Sequence, residues 1–180
     1  MEGSGVMNIV SAEGNRFVRA QVPDGNVTTR ALLNRQFDAV PKKVLRYEFS
    51  LRIAALPTVG AQTMRVSVGR YPEGTQVVMA IDANGIKLFE QSFGPGAQFY
   101  DYRPTSVVPL AGRWTRIALR LVLDVSPRRI ELRANGDLVF STPTQTGLEP
   151  KVIDANAGIG YSDPSPDLQV DIDDAALYVE

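Results

Sequence analysis

Asp171 and Asp173 stand two apart in the segment Leu168–Glu180, LQVDIDDAALYVE. In an extended strand alternate residues share one face about 6.6 Å apart, a spacing that paired-carboxylate hydrolysis can use. The same two aspartates, with Asp163, Asp167 and Asp174 nearby in sequence, could instead contribute to a structural calcium site. Calcium takes roughly six to eight oxygen ligands. Asp171 and Asp173 would share a face, whereas Asp174 points the other way unless a bulge re-aims it. The plainer reading of the cluster is turn aspartates and solvent-facing charges, and no cofactor is otherwise implied.

A second set of residues could bind a ligand without reacting with it. Sugar recognition uses an aromatic platform with polar neighbours. Tyr71, Phe99, Tyr100, Tyr102 and Tyr161 are the candidates. Tyr71 falls on the polar side of its strand with Arg65 and Ser67, and Tyr100–Tyr102 lies in QFYDYR, which mixes aromatics with charge between Gly-Pro breaks. The plainer reading is that part of this set fills the core. Arginines recur on the polar phases of several strands: Arg46, Arg52, Arg65, Arg116, Arg120, Arg129 and Arg133. On adjacent strands they would form a basic face able to grip an anionic glycan through bidentate contacts. Glu48, Asp124 and Glu131 share those phases, so a cross-strand salt-bridge lattice is the favoured reading.

Absences narrow the chemistry. The 180 residues contain no cysteine and no histidine. Disulfides, thiolate catalysis, serine–histidine triads and the commonest zinc sites are therefore excluded. The net charge of −1 supplies no field toward nucleic acid, and no apolar run reaches the ~20 residues of a membrane helix. Met1–Gly5, MEGSG, is short, small and polar. It reads as a flexible or artificial start placed after a removed export signal, or as an authentic one, and residues 6–180 read as a single domain.

The elements that must position these residues are strands. Arg113–Thr142 carries Ile117, Leu119, Leu121, Leu123 and Val125 in one phase, then a turn at Ser126-Pro127-Arg128. Ile130, Leu132 and Ala134 alternate next, followed by Asn135-Gly136, the sequence a two-residue type I′ hairpin demands. Lys43–Leu56 and Gln62–Tyr71 alternate as cleanly, and Thr75–Asp82 and Ile86–Ser92 are joined through Ala83-Asn84-Gly85. Thr142–Ile153 reads as a loop. In the closing segment Leu168, Val170 and Ile172 are in one phase and Ala175, Leu177 and Val179 in the other, which requires a β-bulge at Asp173-Asp174 if both sets face the core. About a dozen strands and no helix predict an all-β, two-sheet antiparallel sandwich or jelly roll.

Three pieces carry a family resemblance: Arg113-Trp114-Thr115-Arg116-Ile117-Ala118-Leu119, which opens a long strand on a tryptophan; the hairpin Ile130–Asp137; and the closing Val170-Asp171-Ile172-Asp173-Asp174-Ala175-Ala176-Leu177-Tyr178-Val179. Together with Ala157-Gly158-Ile159-Gly160-Tyr161, they resemble the concanavalin A-like lectin/glucanase superfamily, in its laminin G-like bacterial branches. The resemblance implies a jelly roll in which Trp114 packs structurally. It also implies that a member's role can be lectin, glycosidase, lyase or adhesion module. Glycosidases of the superfamily carry a Glu-x-Asp-x-x-Glu pattern, which is absent here, and Asp171-Ile172-Asp173 is its nearest imitation. Arg129-Ile130-Glu131-Leu132-Arg133 imitates an alginate-lyase string, without the histidine that accompanies it there. The expectation is a non-catalytic carbohydrate-binding module, exported to the periplasm, cell surface or medium, with a polysaccharide or glycan partner and an oligomeric state the sequence leaves open. Its site would draw on Tyr71, Tyr100, Tyr102, Arg65, Arg116 and Arg120. A structural or adhesion domain binding protein is the alternative, and a glycosidase or lyase stands behind both.

Overall fold

The computed structural model describes residues 5–12, 14–22, 31–38, 43–56, 61–70, 73–104, 111–148, 152–160 and 168–180. They form thirteen strands: β1 Val6–Ala12, β2 Asn15–Val22, β3 Ala31–Asp38, β4 Val44–Ile53, β5 Ala61–Arg70, β6 Glu73–Asp82, β7 Gly85–Phe93, β8 Phe99–Tyr102, β9 Thr115–Val122, β10 Arg129–Ala134, β11 Asp137–Pro143, β12 Val152–Ile159 and β13 Leu168–Val179. There is no helix among the described residues, so none is long and apolar enough to cross a membrane. Sheet A has seven strands in the order β1-β2-β13-β4-β9-β10-β11, and sheet B six in the order β3-β12-β5-β6-β7-β8.

Period-two patterning decides which way each strand faces. In β4, Leu45, Tyr47, Phe49, Leu51 and Ile53 are buried while Arg46, Glu48, Ser50 and Arg52 are half-buried on the other side. The buried set joins Ile117, Leu119 and Leu121 of β9, Ile130 and Leu132 of β10, Val170 and Ile172 of β13, and Val77, Met79, Ile81 and Leu88 of sheet B in one core. Burial raises the pKa of the Tyr47 phenol to about 12. The Asn-Gly turn is as expected, with positive φ at both Asn135 and Gly136 and Ala134 opposite Asp137. In the second hairpin Asp82 faces Gly85, and the Asp82 carboxylate accepts the Asn84 N–H at 2.8 Å. The bulge is also where the phase slip put it: the β13–β4 register shifts between Asp173 and Ala176, and Asp174 has φ 50°. Leu177 and Val179 thereby return to the core.

Two expectations are corrected. Val125 is not a core residue: β9 ends at Val122, and Val125 is exposed in the turn that follows. The segment read as loop over Thr142–Ile153 is shorter, since β11 runs to Pro143 and β12 starts at Val152. β6 lacks a solvated face, because every residue from Thr75 to Ile81 is buried.

Candidate functional site

Sheet B presents the more unusual outer surface. Val77, Met79 and Ile81 point into the core, so Gln76, Val78 and Ala80 face away from it. The registers place Asp154, Ser67, Gln76, Gln91 and Phe99 in one row across β12, β5, β6, β7 and β8, and Asn156, Arg65, Val78, Phe89 and Asp101 in the next. An outer face should be wet, yet Gln76 and Asn156 are each 6% exposed and Val78, Ala80 and Phe89 form a buried apolar cluster. The middle of this face is therefore closed to bulk water, whereas Asp154 and Gln91 are half-buried and Phe99 and Asp101 are exposed.

Hydrogen bonding on this floor is incomplete. Gln76 Nε2 donates to Gln91 Oε1 at 2.7 Å. Gln76 Oε1 is buried and accepts no hydrogen bond. A buried carbonyl without a donor costs about 1–3 kcal/mol. At the open end of the row Phe99 is 54% exposed and lies on Phe89, with ring centroids 5.1 Å apart and planes tilted by 32°. Beside it Lys87 pairs with Asp101 at 2.9 Å. The arrangement offers an aromatic platform leading into a line of amides.

Tyr100 and Tyr102 lie on the other side of β8. Their strand partners are Glu90 and Leu88, which face inward, so the tyrosines do too. QFYDYR is thus a short edge strand that shows Phe99 and Asp101 outward. Tyr102 packs on Phe140 at 5.8 Å and its hydroxyl donates to Glu90 Oε2 at 3.0 Å. Burial and the adjacent Glu90 charge raise the Tyr102 pKa. Glu90 itself is fully buried. It accepts the N–H groups of Gln145 and Thr146 at 2.9 Å each and the Thr146 hydroxyl. The sequence shows only an acid where Ile86 and Leu88 predict a third apolar residue, and that break in period two is the signal by which Glu90 could have been found. At the far end of this hairpin Arg103 bonds Asp82 and holds its carboxyl below the usual range.

The arginines of sheet A form the expected lattice. Arg116 reaches Glu48 at 3.0 Å, Arg46 the same Glu48 at 2.8 Å, and Arg120 Glu131 at 2.9 Å. Asp171 is buried and takes Arg19 on both oxygens, at 2.7 and 3.0 Å, with Arg52 Nη2 also on Oδ2 at 3.0 Å. The hydrogen bonds to Asp171 raise the Arg19 pKa above its ordinary value. Arg52 stacks on Trp114 at 4.8 Å and on Phe17 at 5.3 Å. Trp114 meets Phe17 edge-on at 5.3 Å, so the tryptophan packs, as the resemblance implies.

The residues predicted to form one site are not brought together. Arg116 and Arg120 belong to β9 in sheet A, whereas Arg65 belongs to β5 in sheet B. Tyr71 and Tyr161 lie outside the described residues, as do Asp163 and Asp167. Both oxygens of Asp171 are engaged by guanidinium groups, and Asp173 Oδ1 accepts the Asp174 N–H at 2.8 Å. No group of three or more acidic side chains converges among the described residues.

No protein-family model matches the chain, and no curated protein matches it. Solved structures do resemble it. A glycoside hydrolase family 16 endo-glucanase from Bacteroides ovatus superposes with TM-score 0.64 at 11% identity, over 96% of this chain and 85% of that one. A family 7 alginate lyase solved with its substrate gives 0.63 at 12%, over 91% and 78%. The binding domain of Paraclostridial Mosquitocidal Protein 1 gives 0.62 at 12%, over 96% of this chain and 42% of that one. At such identities the likeness is one of fold. The chain folds as a concanavalin A-like jelly-roll β-sandwich, the architecture that its tryptophan-led strand, Asn-Gly hairpin and closing strand resemble.

Proposed function

We propose that this domain is a non-catalytic carbohydrate-binding module that takes a glycan chain onto the outer face of sheet B. The observation that carries the reading is the exposed Phe99, seated on Phe89 and followed in its row by Gln91 and Gln76. Sugars suit such a floor because each ring offers hydroxyl donors at its edge and C–H groups on its face. Two of the neighbours in structure, a glucanase and an alginate lyase, act on polysaccharides. On this reading the protein is exported, to the periplasm, cell surface or medium.

The described part of the floor supports binding over hydrolysis. Its acids are Asp154 in β12, Asp82 at the end of β6 and Asp101 in β8; Asp154 and Asp101 are four strands apart, about 19 Å at the usual strand spacing, and Asp82 and Asp101 are each held in an ion pair, with Arg103 and Lys87. Paired carboxylates work at roughly 5–9.5 Å. Calorimetric titration against neutral and anionic polysaccharides tests the proposal. Binding is expected, with Phe99→Ala weakening it about tenfold and Gln91→Ala by less. Absence of binding to every polysaccharide, or affinity untouched by both variants in correctly folded protein, would sink it. Release of oligosaccharide products would assign the fold to an enzyme instead.

A further inference from the structure

Of the seven asparagines, only Asn84 and Asn135 precede a glycine. An Asn-Gly step carries its own electrophile and nucleophile. The glycine backbone nitrogen can attack the side-chain carbonyl carbon of the asparagine, Cγ, and a glycine has no Cβ to hinder that approach. Both asparagines are exposed in tight hairpin turns, yet the turns hold them differently. Asn135 is clamped to β9. Its N–H donates to the Arg116 carbonyl at 2.8 Å, and its Oδ1 accepts the Arg116 N–H at 2.9 Å. Arg133 Nη1 donates to the Gly136 carbonyl at 2.9 Å on the other side of the step. Cγ of Asn135 can turn toward the Gly136 nitrogen only after the side chain lets go of β9. Asn84 is held by its backbone alone. Its N–H donates to Asp82 Oδ1 at 2.8 Å, and its side-chain amide makes no hydrogen bond among the described residues. Gly85 closes the ladder opposite Asp82, and the last pair of a hairpin opens more readily than the pairs behind it.

We infer that Asn84 is a site of self-modification: the Asn84-Gly85 step deamidates in the folded chain, and the Asn135-Gly136 step is protected by its clamp. In the reaction the Gly85 nitrogen gives its proton to solvent base and bonds to Asn84 Cγ, and the side-chain nitrogen leaves as ammonia. The resulting five-membered succinimide takes up one water. Opening at one carbonyl gives aspartate at position 84, and opening at the other gives isoaspartate. Water is the only co-reactant, and nothing is oxidised or reduced. Either product adds one negative charge to the turn. Isoaspartate also inserts a methylene into the backbone between Asp82 and Gly85, which the paired register of that hairpin does not accommodate without a shift. The new carboxylate stands two residues from Asp82, whose own charge is held by Arg103.

Peptide mapping by mass spectrometry, after timed incubation of the full chain in mildly alkaline buffer, reads both steps in one sample. Asn84 is expected to deamidate about tenfold or more faster than Asn135, because the clamp on Asn135 must break before it can react. Labelling by an isoaspartyl methyltransferase should mark the Asn84 peptide and leave the Asn135 peptide blank. The chain unfolded in urea supplies the reference, and there the two steps should react at closely similar rates. Equal rates in the folded chain would overturn the inference, as would a faster Asn135 or an Asn84 that reacts only once unfolded. So would the same preference for Asn84 in urea, since it would then come from neighbouring side chains and not from the fold. No glycan enters these measurements, so their outcome is independent of the proposed ligand.

Discussion

A single carboxylate governs one end of the sandwich. Glu90 occupies a core position in β7 and satisfies both oxygens with Tyr102, Gln145 and Thr146. It thereby ties the chain that leaves β11 to sheet B, next to buried Leu148. Glu90→Ala leaves four part-buried donors without their acceptor, so about 3 kcal/mol or more of stability should be lost. Tyr102→Phe removes one bond and should cost about 1 kcal/mol. Urea unfolding separates the two, and a Glu90→Ala loss no larger than that of Tyr102→Phe would show that the carboxylate does not hold the loop. This residue was only half legible in the sequence. Its charge interrupts an apolar phase, but the donors it needs come from a segment more than fifty positions away, which no local pattern reveals. Phe99 was legible as an aromatic candidate. That Phe99 and not Tyr100 or Tyr102 faces outward depends on the parity of β8 against β7, which is a matter of pairing.

Among the elements, β13 makes the clearest case that one residue can set the phase of a strand. Val170 and Ile172 face the core before the bulge, and Leu177 and Val179 pack against it afterwards. Asp174 absorbs the extra residue with φ 50°, and its carbonyl accepts Arg116 Nη1 at 3.3 Å. L-residues pay roughly 1 kcal/mol for that backbone region, aspartate less than most, and β-branched residues most of all. Asp174→Gly should therefore be neutral or slightly stabilising, whereas Asp174→Val should lower stability by about 1–2 kcal/mol. Equal denaturation midpoints for the two variants would contradict a conformational origin. The bulge was readable from sequence because the phase slip between Ile172 and Ala175 has no other strand-compatible solution. β6 was not, because alternation reports one solvated face only, and the burial of Gln76 and Val78 depends on their neighbours across the sheet.

At the scale of the molecule, the sequence shows strands but not which sheet receives them. Arg65 and Arg116 looked alike on polar phases, and the topology sends them to opposite sheets. That same topology keeps the two proposals apart on one sheet. Phe99 pairs with Gln91, and Gln91 lies six residues along β7 from Gly85, about 20 Å at the usual rise. A charge gained at Asn84 is screened within about 8 Å at physiological salt. Asn84→Asp, which carries the charge of the deamidated chain, should therefore bind polysaccharide within about twofold of the parent. Phe99→Ala should bind about tenfold more weakly. A loss in Asn84→Asp as large as that in Phe99→Ala would mean that the ligand runs along β7 over Lys87 to the turn, and not across the strands from Phe99 to Gln76.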